Sequence, residues 1–213
     1  MKDRSGTWER RDCAPGEGCL LRQHSFQHFF FNALNSAVSL CSIDPGRAAD
    51  LLVQISHCLR AVLEDEKELI PLEAELDTVR AYLDIQKVRF GDRLQVEWEV
   101  QPVPGCFLPP FLVLQLVDNG LRHGIMKRKA GGRIVVRVLP CGDFIRILVS
   151  DDGVGIPEDR QRGLFEAGAP ENSVARLREL VRMKLGADLL LQSAPEKGTT
   201  VSVEIPGKGR LPQ

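Results

Sequence analysis

Two short stretches of the chain combine residue types that could hold a nucleotide. The first is LVDNGLRHG at residues 116–124, and the second is VSDDGVGIP at residues 149–157. In the first stretch Asn119 and His123 are four residues apart, so on a helix they share one face. In the second, a strand-like run ends in two acids and two glycines, where the backbone can pass close to a ligand. Together they predict an amide that takes a hydrated metal with its phosphates, and an aspartate that accepts a hydrogen bond from a base amine.

The same two stretches could also be an ordinary core helix followed by an ordinary turn. Leucine and valine side chains recur at helical spacing between residues 112 and 121, as in a helix that docks on a sheet. Either stretch alone is a weak signal, because short motifs of this kind also occur by chance. The presence of both in this order favours a nucleotide site.

Two histidines near the N-terminus also lie at helical spacing. A helix is predicted from about residue 20 to about residue 42. Its predicted apolar stripe comprises Phe26, Phe30, Leu34, Ala37 and Cys41. Its polar stripe comprises His24, His28, Asn32, Asn35, Ser39 and Ser42.

Three roles for His28 are compatible with this pattern. The pair His24 and His28 could bind a metal, although no glutamate follows His24 and no third ligand is near. His28 could be a surface histidine without chemistry. A neutral imidazole on an exposed helix face is also a competent nucleophile toward phosphorus, and the nucleotide-like stretches would supply its phosphate donor.

A second amphipathic helix is predicted over residues 47–64, after the break at Asp44-Pro45-Gly46. The apolar residues predicted on one side of it are Ala48, Leu51, Leu52, Ile55, Cys58, Leu59, Val62 and Leu63. Two such helices form a hairpin whose core is too small to be stable alone. Pairing with a second copy into a four-helix bundle is the expected remedy.

The remainder of the chain alternates helices and strands. Pro71 opens a helix in which Glu73 and Glu75 sit favourably in the first turn, with Leu72, Leu76, Val79 and Leu83 facing inward. Strands are predicted over residues 94–100, 133–139, 144–150, 187–192 and 199–205, a helix over 173–185, and a lid over 155–172. This order predicts an α+β two-layer sandwich, with helices on one face of a mixed, mostly antiparallel sheet.

Composition sets the outer bounds on function. The chain has 213 residues and a net charge of −1, which offers no bulk electrostatic attraction to nucleic acid or to an anionic membrane. It contains no apolar run long enough to span a bilayer and no signal-peptide core, so a cytoplasmic location is expected. Six cysteines without a CxxC pair predict free thiols.

Five stretches of the chain, taken together, resemble the LytS-type (YehU-type) sensor histidine kinases, whose ATP-binding half belongs to the GHKL ATPase superfamily. They are QHSFQHFFFNALNS, PLEAELDTVRAYLDIQKVRFGDRL, LPPFLVLQLVDNGLRHG, VSDDGVGIP and GTTVSVEIP. They occur in the family's order, and the resemblance covers nearly everything from residue 20 to residue 206. The order makes the resemblance far more specific than any single motif.

The resemblance implies roles for individual residues. His28 would be the phosphoacceptor, Asn119 would hold the Mg²⁺ that bridges the phosphates of ATP, and Asp151 would contact the adenine amine. The residues implied in catalysis are His28, Asn32 and Asp118. Those implied in ATP binding are Asn119, His123, Asp151, Gly153, Gly155, Gly198 and Thr199.

The resemblance also implies a domain organisation and partners. Residues 1–19 would be a flexible leader, 20–67 the dimerising and phosphotransfer hairpin, 68–207 the ATP-binding domain, and 208–213 a tail. A homodimer and a response regulator, of the LytTR type, are the expected partners, with no nucleic acid and no membrane span. About nineteen residues precede the first predicted helix, so the signal is expected from a separate sensory protein or from the leader with Cys13 and Cys19.

Three functions from different classes are compatible with the sequence. The leading prediction is an ATP-dependent protein-histidine kinase of a two-component system. A second is a degenerate, non-catalytic ATP-binding scaffold, because the lid's glycine pattern survives only as AGAPEN at residues 167–172. The sequence also departs from the family at Gln27 and Gly120, which replace a usual proline and a usual alanine. A third, a serine-kinase-like GHKL regulator, leaves the polar face around His28 unexplained.

Overall fold

The computed structural model describes residues 24–63, 68–164 and 173–207. The predicted leader, the tail, residues 64–67 and lid residues 165–172 lie outside the described residues. So do the side chains of residues 24–28, which include His24 and His28.

Helices α1 (His24–Cys41) and α2 (Pro45–Leu63) form the predicted hairpin. The α2 helix starts two residues earlier than predicted, because Pro45 is tolerated at a first helical position where its missing N–H costs nothing. Asp44 caps this helix: its Oδ1 accepts a hydrogen bond from the Arg47 N–H at 3.0 Å.

The apolar stripe predicted for α1 was partly wrong. The buried line runs through Phe29, Ala33 and Ala37, while Leu34 is 43% exposed and Cys41 is also exposed. The small alanines let α1 approach the neighbouring helices closely, and the larger side chains are turned outward. Among the predicted inward residues of α2, Leu52 and Leu59 are likewise exposed, at 45% and 37%.

The sheet is mixed and mostly antiparallel, as predicted. Its strands are β2 (Leu94–Val100), β4 (Gly132–Cys141), β5 (Phe144–Asp151), β6 (Leu189–Ala194) and β7 (Gly198–Pro206), in the order β2-β4-β5-β7-β6. Only β2 and β4 run parallel among these neighbours. A separate two-stranded sheet pairs β1 (Ile70–Pro71) with β3 (Phe107–Leu108).

The two faces of the five-stranded sheet differ in polarity. Alternate residues of β4, β5 and β7 are buried in one apolar core together with side chains of the helices. On the other face, cross-strand ion pairs join Arg133 to Glu97 and Arg137 to Glu99. The two-layer α+β architecture of the prediction is confirmed.

The longer helices after the hairpin are α3 (Leu72–Phe90), α4 (Leu112–Asn119) and α6 (Ser173–Leu185). A short helix, α5 (Glu158–Gly163), lies in the stretch predicted as a lid. Within the described ranges, no helix is both long and apolar enough to cross a membrane.

Glu75 has a role that its position in the first turn of α3 did not reveal. Its side chain is fully buried, and its carboxylate accepts hydrogen bonds from the N–H groups of Phe111 and Leu114, at 2.8 and 3.0 Å. Phe111 has a φ of 64° and stands just before α4. The glutamate therefore caps the first turn of α4 from another helix.

Replacing Glu75 with alanine should destabilise the fold strongly. Two buried N–H groups would lose a charged acceptor, so we expect the free energy of unfolding to fall by about 2–3 kcal/mol in urea denaturation. Glu73→Ala, an exposed change in the same helical turn, is the matched control and should change the unfolding midpoint little. Equal effects of the two substitutions would contradict the capping role.

Candidate functional site

Asp151 lies at the end of β5, where the strand gives way to the glycine turn. Its side chain is buried, and its Oδ1 accepts a hydrogen bond from the Gly153 N–H at 2.9 Å. Burial raises the pKa of this carboxyl to about 6; the neighbouring Asp152 adds to the rise, and the Gly153 and Thr199 N–H groups oppose it. Strand pairing places Thr199 opposite Asp151.

Three glycines enclose the Asp151 carboxylate. A Cβ added to Gly124 would lie 2.2 Å from Asp151 Oδ1, and one added to Gly120 would lie 3.3 Å from Oδ2. A Cβ on Gly153 would lie 2.3 Å from the carbonyl carbon of Gly124. The turn after β5 and the segment after α4 therefore touch backbone to backbone, which only glycine permits at this distance.

Gly155 and Gly198 take the left-handed backbone conformation, with φ of 66° and 81°. A Cβ at Gly155 would lie 1.9 Å from the carbonyl oxygen of Ala194, and one at Gly198 would lie 1.9 Å from that of Asp151. Both predicted glycines are therefore required by the close packing of the two turns around Asp151.

A serine that the sequence did not single out fixes the start of the predicted lid. Ser193 Oγ accepts a hydrogen bond from the Ile156 N–H at 2.8 Å and donates to the Gly198 carbonyl at 2.9 Å. It also lies 2.9 Å from Thr199 Oγ1. Gln161 of α5 donates to the carbonyls of Ile156 and Ser193, at 2.6 and 2.9 Å.

Asn119 and His123 lie where α4 changes its winding. The α-helix ends at Asn119, and residues Gly120–Gly124 form a single π-helical turn, in which the Ile125 N–H donates to the Gly120 carbonyl. The continuous α-helix assumed for this pair was therefore wrong. Such wide turns are frequent at functional sites. Here the turn brings Gly120 and Gly124 against Asp151.

The side chains of this pair differ in environment. Asn119 is half-buried, whereas His123 is exposed on one side and partly covered on the other. Partial burial, together with the charges of Arg122 and Lys127, lowers the pKa of His123 below its usual range, against the opposing effect of Asp118. The imidazole is therefore mostly neutral near pH 7.

Asp118 takes part in a buried network that was not predicted. The hydroxyl of Tyr82 donates to Asp118 Oδ1 at 2.7 Å, and Gln86 Nε2 donates to the Tyr82 hydroxyl at 2.7 Å. Arg122 Nη1 is 3.6 Å from Asp118 Oδ2. Burial raises the pKa of Asp118, while the bond from Tyr82 and the charges of Arg122 and His123 oppose the rise. The sequence feature that could have indicated this network is the spacing of Tyr82 and Gln86, which lie four residues apart among the apolar residues of α3.

The hairpin reaches this network through an aromatic contact. His28 is part of α1, and its side chain lies outside the described residues. The next residue, Phe29, is buried with its ring centroid 4.6 Å from that of Tyr82. Asn32, one turn later, is half-buried.

A cavity of about 160 Å³ lies next to this site. It is lined by Asp92, Arg93, Gln95, Arg128, Ala130, Gly131, Gly132 and Asp152. Arg128 donates to the carbonyl of Asp152, and Arg93 donates to the carbonyl of Arg128 at 3.3 Å. None of the predicted nucleotide contacts lines it.

The donor set at the end of α4 suits Mg²⁺ bound together with phosphates. The Asn119 amide oxygen is a hard ligand, and Mg²⁺ in nucleotide sites takes few protein ligands besides phosphates and water. Within the described ranges no group of three or more His, Cys, Asp or Glu side chains is arranged to hold a metal ion.

Two family models match consecutive parts of the chain. Residues 20–94 match the model described as "Histidine kinase". Residues 111–209 match the model described as "Histidine kinase-, DNA gyrase B-, and HSP90-like ATPase".

Curated relatives match across this same region. The chain is 33% identical over 184 residues to the sensor histidine kinase YpdA of Escherichia coli K12, and 32% identical over 186 residues to the sensor protein LytS of Streptococcus mutans. These alignments cover 85% and 84% of the chain, and 32% of each relative. The sensor histidine kinase/phosphatase LytS of Staphylococcus aureus MRSA252 is 36% identical over 149 residues, which are 68% of this chain and 26% of that protein. The chain thus spans about a third of the length of these relatives or less.

Solved structures share the fold. The catalytic domain of histidine kinase ThkA superposes with a TM-score of 0.52 at 16% identity, covering 65% of this chain and 95% of that one. ThkA in complex with the response regulator protein TrrA gives a TM-score of 0.51 at 15% identity, covering 86% of this chain and 60% of that one. With both family models in sequence and LytS-type relatives over most of its length, this chain belongs to the histidine kinases that carry a GHKL-type ATPase domain.

Proposed function

We propose that the chain is the kinase core of a two-component system: it binds ATP with Mg²⁺, phosphorylates His28, and passes the phosphoryl group to an aspartate of a response regulator. The observation that carries the proposal is the buried Asp151 carboxylate, enclosed by Gly120, Gly124 and Gly153 beside the end of α4. That arrangement offers a hydrogen-bond acceptor for adenine close to an amide for the metal.

The residues of this lobe would bind and orient the nucleotide. Asp151 would accept a hydrogen bond from the adenine amine, and the amide oxygen of Asn119 would hold Mg²⁺. Gly153 and Gly155 shape the adenine pocket, while Gly198 and Thr199 close it beside Asp151, and His123 lines the phosphate side. When bound, Mg²⁺ neutralises phosphate charge, so that the protein mainly has to position the reacting groups.

His28 would be the nucleophile. Imidazole has an unperturbed pKa of about 6.5, so most of it is neutral at cytoplasmic pH and needs only modest activation. Asp118, which precedes Asn119, and Asn32, which lies one turn beyond His28 on α1, would assist catalysis. The resulting phosphoramidate is labile, which suits onward transfer to an aspartate.

The exposed face of the hairpin supports a homodimer. Phe31, Val38 and Val53 are 69%, 71% and 65% exposed, and Leu34 and Leu52 lie among them on the same two helices. Apolar side chains this exposed on adjacent helices are typical of a surface that packs against another copy. Residues 24–63 would thus supply half of a four-helix bundle.

The remaining partners follow from the proposed chemistry. ThkA has been solved in complex with a response regulator protein. We infer a response regulator, of the LytTR type, as the phosphoryl acceptor for this chain, and a cytoplasmic location where both meet ATP. A separate sensory protein would supply the signal.

A second function, an ATP-binding scaffold without kinase activity, is favoured by one sequence observation. The glycine pattern of the lid survives only as AGAPEN at residues 167–172, which lie outside the described residues. A lid with fewer glycines would close less readily over a triphosphate.

Incubation with γ-labelled ATP and Mg²⁺ should label His28. The label should be acid-labile and base-stable, and His28→Gln should abolish it. His57→Gln, which changes an exposed histidine of α2, is the matched control and should keep the label. Tight ATP binding without any label would instead support the scaffold, and an acid-stable label on serine would support a serine-kinase-like regulator.

Nucleotide affinity should depend on the ionisation of Asp151. Its raised pKa of about 6 means that the free carboxyl becomes protonated as the pH falls through that value, and it then accepts the adenine amine poorly. We expect the affinity for ADP, measured by calorimetry, to fall below about pH 6 by up to about tenfold per pH unit. Asp151→Asn is the control: its amide does not titrate in this range, so any change in its affinity reports protonation of the nucleotide itself. A constant ratio of wild-type to variant affinity across this range would contradict the assignment.

A charge on the exposed face of the hairpin should disrupt the dimer. Val38→Asp places a carboxylate at the centre of the proposed interface, where its desolvation is unfavourable. Sedimentation should show monomers for this variant and dimers for the wild type. Leu190→Asp alters a residue of β6 that is also exposed (56%), and it should remain dimeric. Dimers of Val38→Asp would show that the interface lies elsewhere.

A further inference from the structure

Tyr82 stands where the hairpin meets the nucleotide lobe. It is a residue of α3 with 1% of its surface exposed. Its hydroxyl donates to Asp118, the residue before Asn119. Its ring packs against Phe29, the residue after His28. One side chain therefore touches the neighbours of both groups that the proposed reaction must bring together.

We propose that Tyr82 is a positioning residue for phosphoryl transfer, whose hydroxyl fixes the Asp118 carboxylate while its ring fixes the helix that carries His28. The inference rests on the proposed function and adds a role for a residue that contacts neither nucleotide nor phosphoacceptor in that scheme.

The hydroxyl of Tyr82 has a defined direction. Gln86 Nε2 can only donate, so the tyrosine oxygen accepts from it at 2.7 Å. The hydroxyl hydrogen is then directed to Asp118 Oδ1, also at 2.7 Å. The other carboxylate oxygen faces Arg122 at 3.6 Å. A buried carboxylate held in this way keeps one orientation, as a reacting site requires.

The ring of Tyr82 makes a separate contact. Its plane lies at 39° to that of Phe29, with ring centroids 4.6 Å apart, and Phe29 meets Phe30 edge-on at 5.1 Å. Because Phe29 is buried and directly follows His28, a shift of α1 would move the tyrosine ring. Because the Tyr82 hydroxyl is bonded to Asp118, the carboxylate would then move as well.

A purely structural tyrosine would behave differently from a positioning residue. Loss of a structural hydroxyl would lower stability without a selective effect on the chemical step. Loss of a positioning hydroxyl should lower the rate at saturating ATP and leave the KM for ATP nearly unchanged, because the nucleotide contacts remain.

The test compares Tyr82→Phe with Thr78→Val in autophosphorylation kinetics. Tyr82→Phe keeps the ring and removes the hydroxyl, and we expect kcat to fall by at least about tenfold with KM for ATP within about twofold. Thr78 is buried on the same helix, and its hydroxyl donates to the Ala74 carbonyl at 3.1 Å, so Thr78→Val removes a buried hydroxyl that is bonded to its own helix and not to Asp118. It should leave both constants unchanged. A wild-type kcat in Tyr82→Phe, or an equal loss in Thr78→Val, would overturn the proposal.

A spectroscopic measurement tests the same contacts without turnover. Tyr82 is the only tyrosine of the chain, so incorporation of fluorotyrosine gives a single ¹⁹F resonance. We expect this resonance to move when ADP and Mg²⁺ bind, and also in the nucleotide-free Phe29→Leu variant. A resonance unmoved by both would overturn the inference. If the wild-type chain forms no phosphohistidine, the proposed function fails, while the fluorine resonance still decides whether Tyr82 senses the nucleotide.

Discussion

The backbone contact between Gly153 and Gly124 is the constraint on which the site depends. It brings the turn after β5 against the π-helical turn after α4, closer than any side chain would allow. The Asp151 carboxylate is thereby buried beside the helix that carries Asn119. Burial raises the pKa of that carboxyl, and an acceptor kept from water binds a base amine more selectively than an exposed one would.

Helix α3 holds the other side of this arrangement. Near its start, Glu75 caps the first turn of α4, and two turns later Tyr82 binds Asp118 near the end of α4. The helix that presents Asn119 is thus fixed at both ends by polar side chains of a single neighbour. Buried polar groups that are fully hydrogen-bonded specify one arrangement of the packed helices, where apolar contacts alone would tolerate small shifts.

The secondary structure and the position of Asp151 could be predicted from the sequence, because both depend on local residue patterns. The strands and most helices followed from periodicity, and Asp151 with its glycines followed from residue types in a turn. Glu75 and Tyr82 could not be assigned, because their partners lie 36 or more residues away and only the fold joins them. The buried side of α1 was only partly predicted: Ala37 is buried as expected, but Ala33, which is small enough for close packing, is buried in place of the larger Leu34.

The proposed function requires that adenine binds at Asp151 and the metal at Asn119. A crystal structure of the chain with Mg²⁺ and a non-hydrolysable ATP analogue tests it most directly. The adenine amine should lie within hydrogen-bonding distance of the Asp151 carboxylate, with Mg²⁺ on the Asn119 amide oxygen. A nucleotide bound instead in the cavity between Arg93 and Arg128, with Asp151 uncontacted, would contradict it.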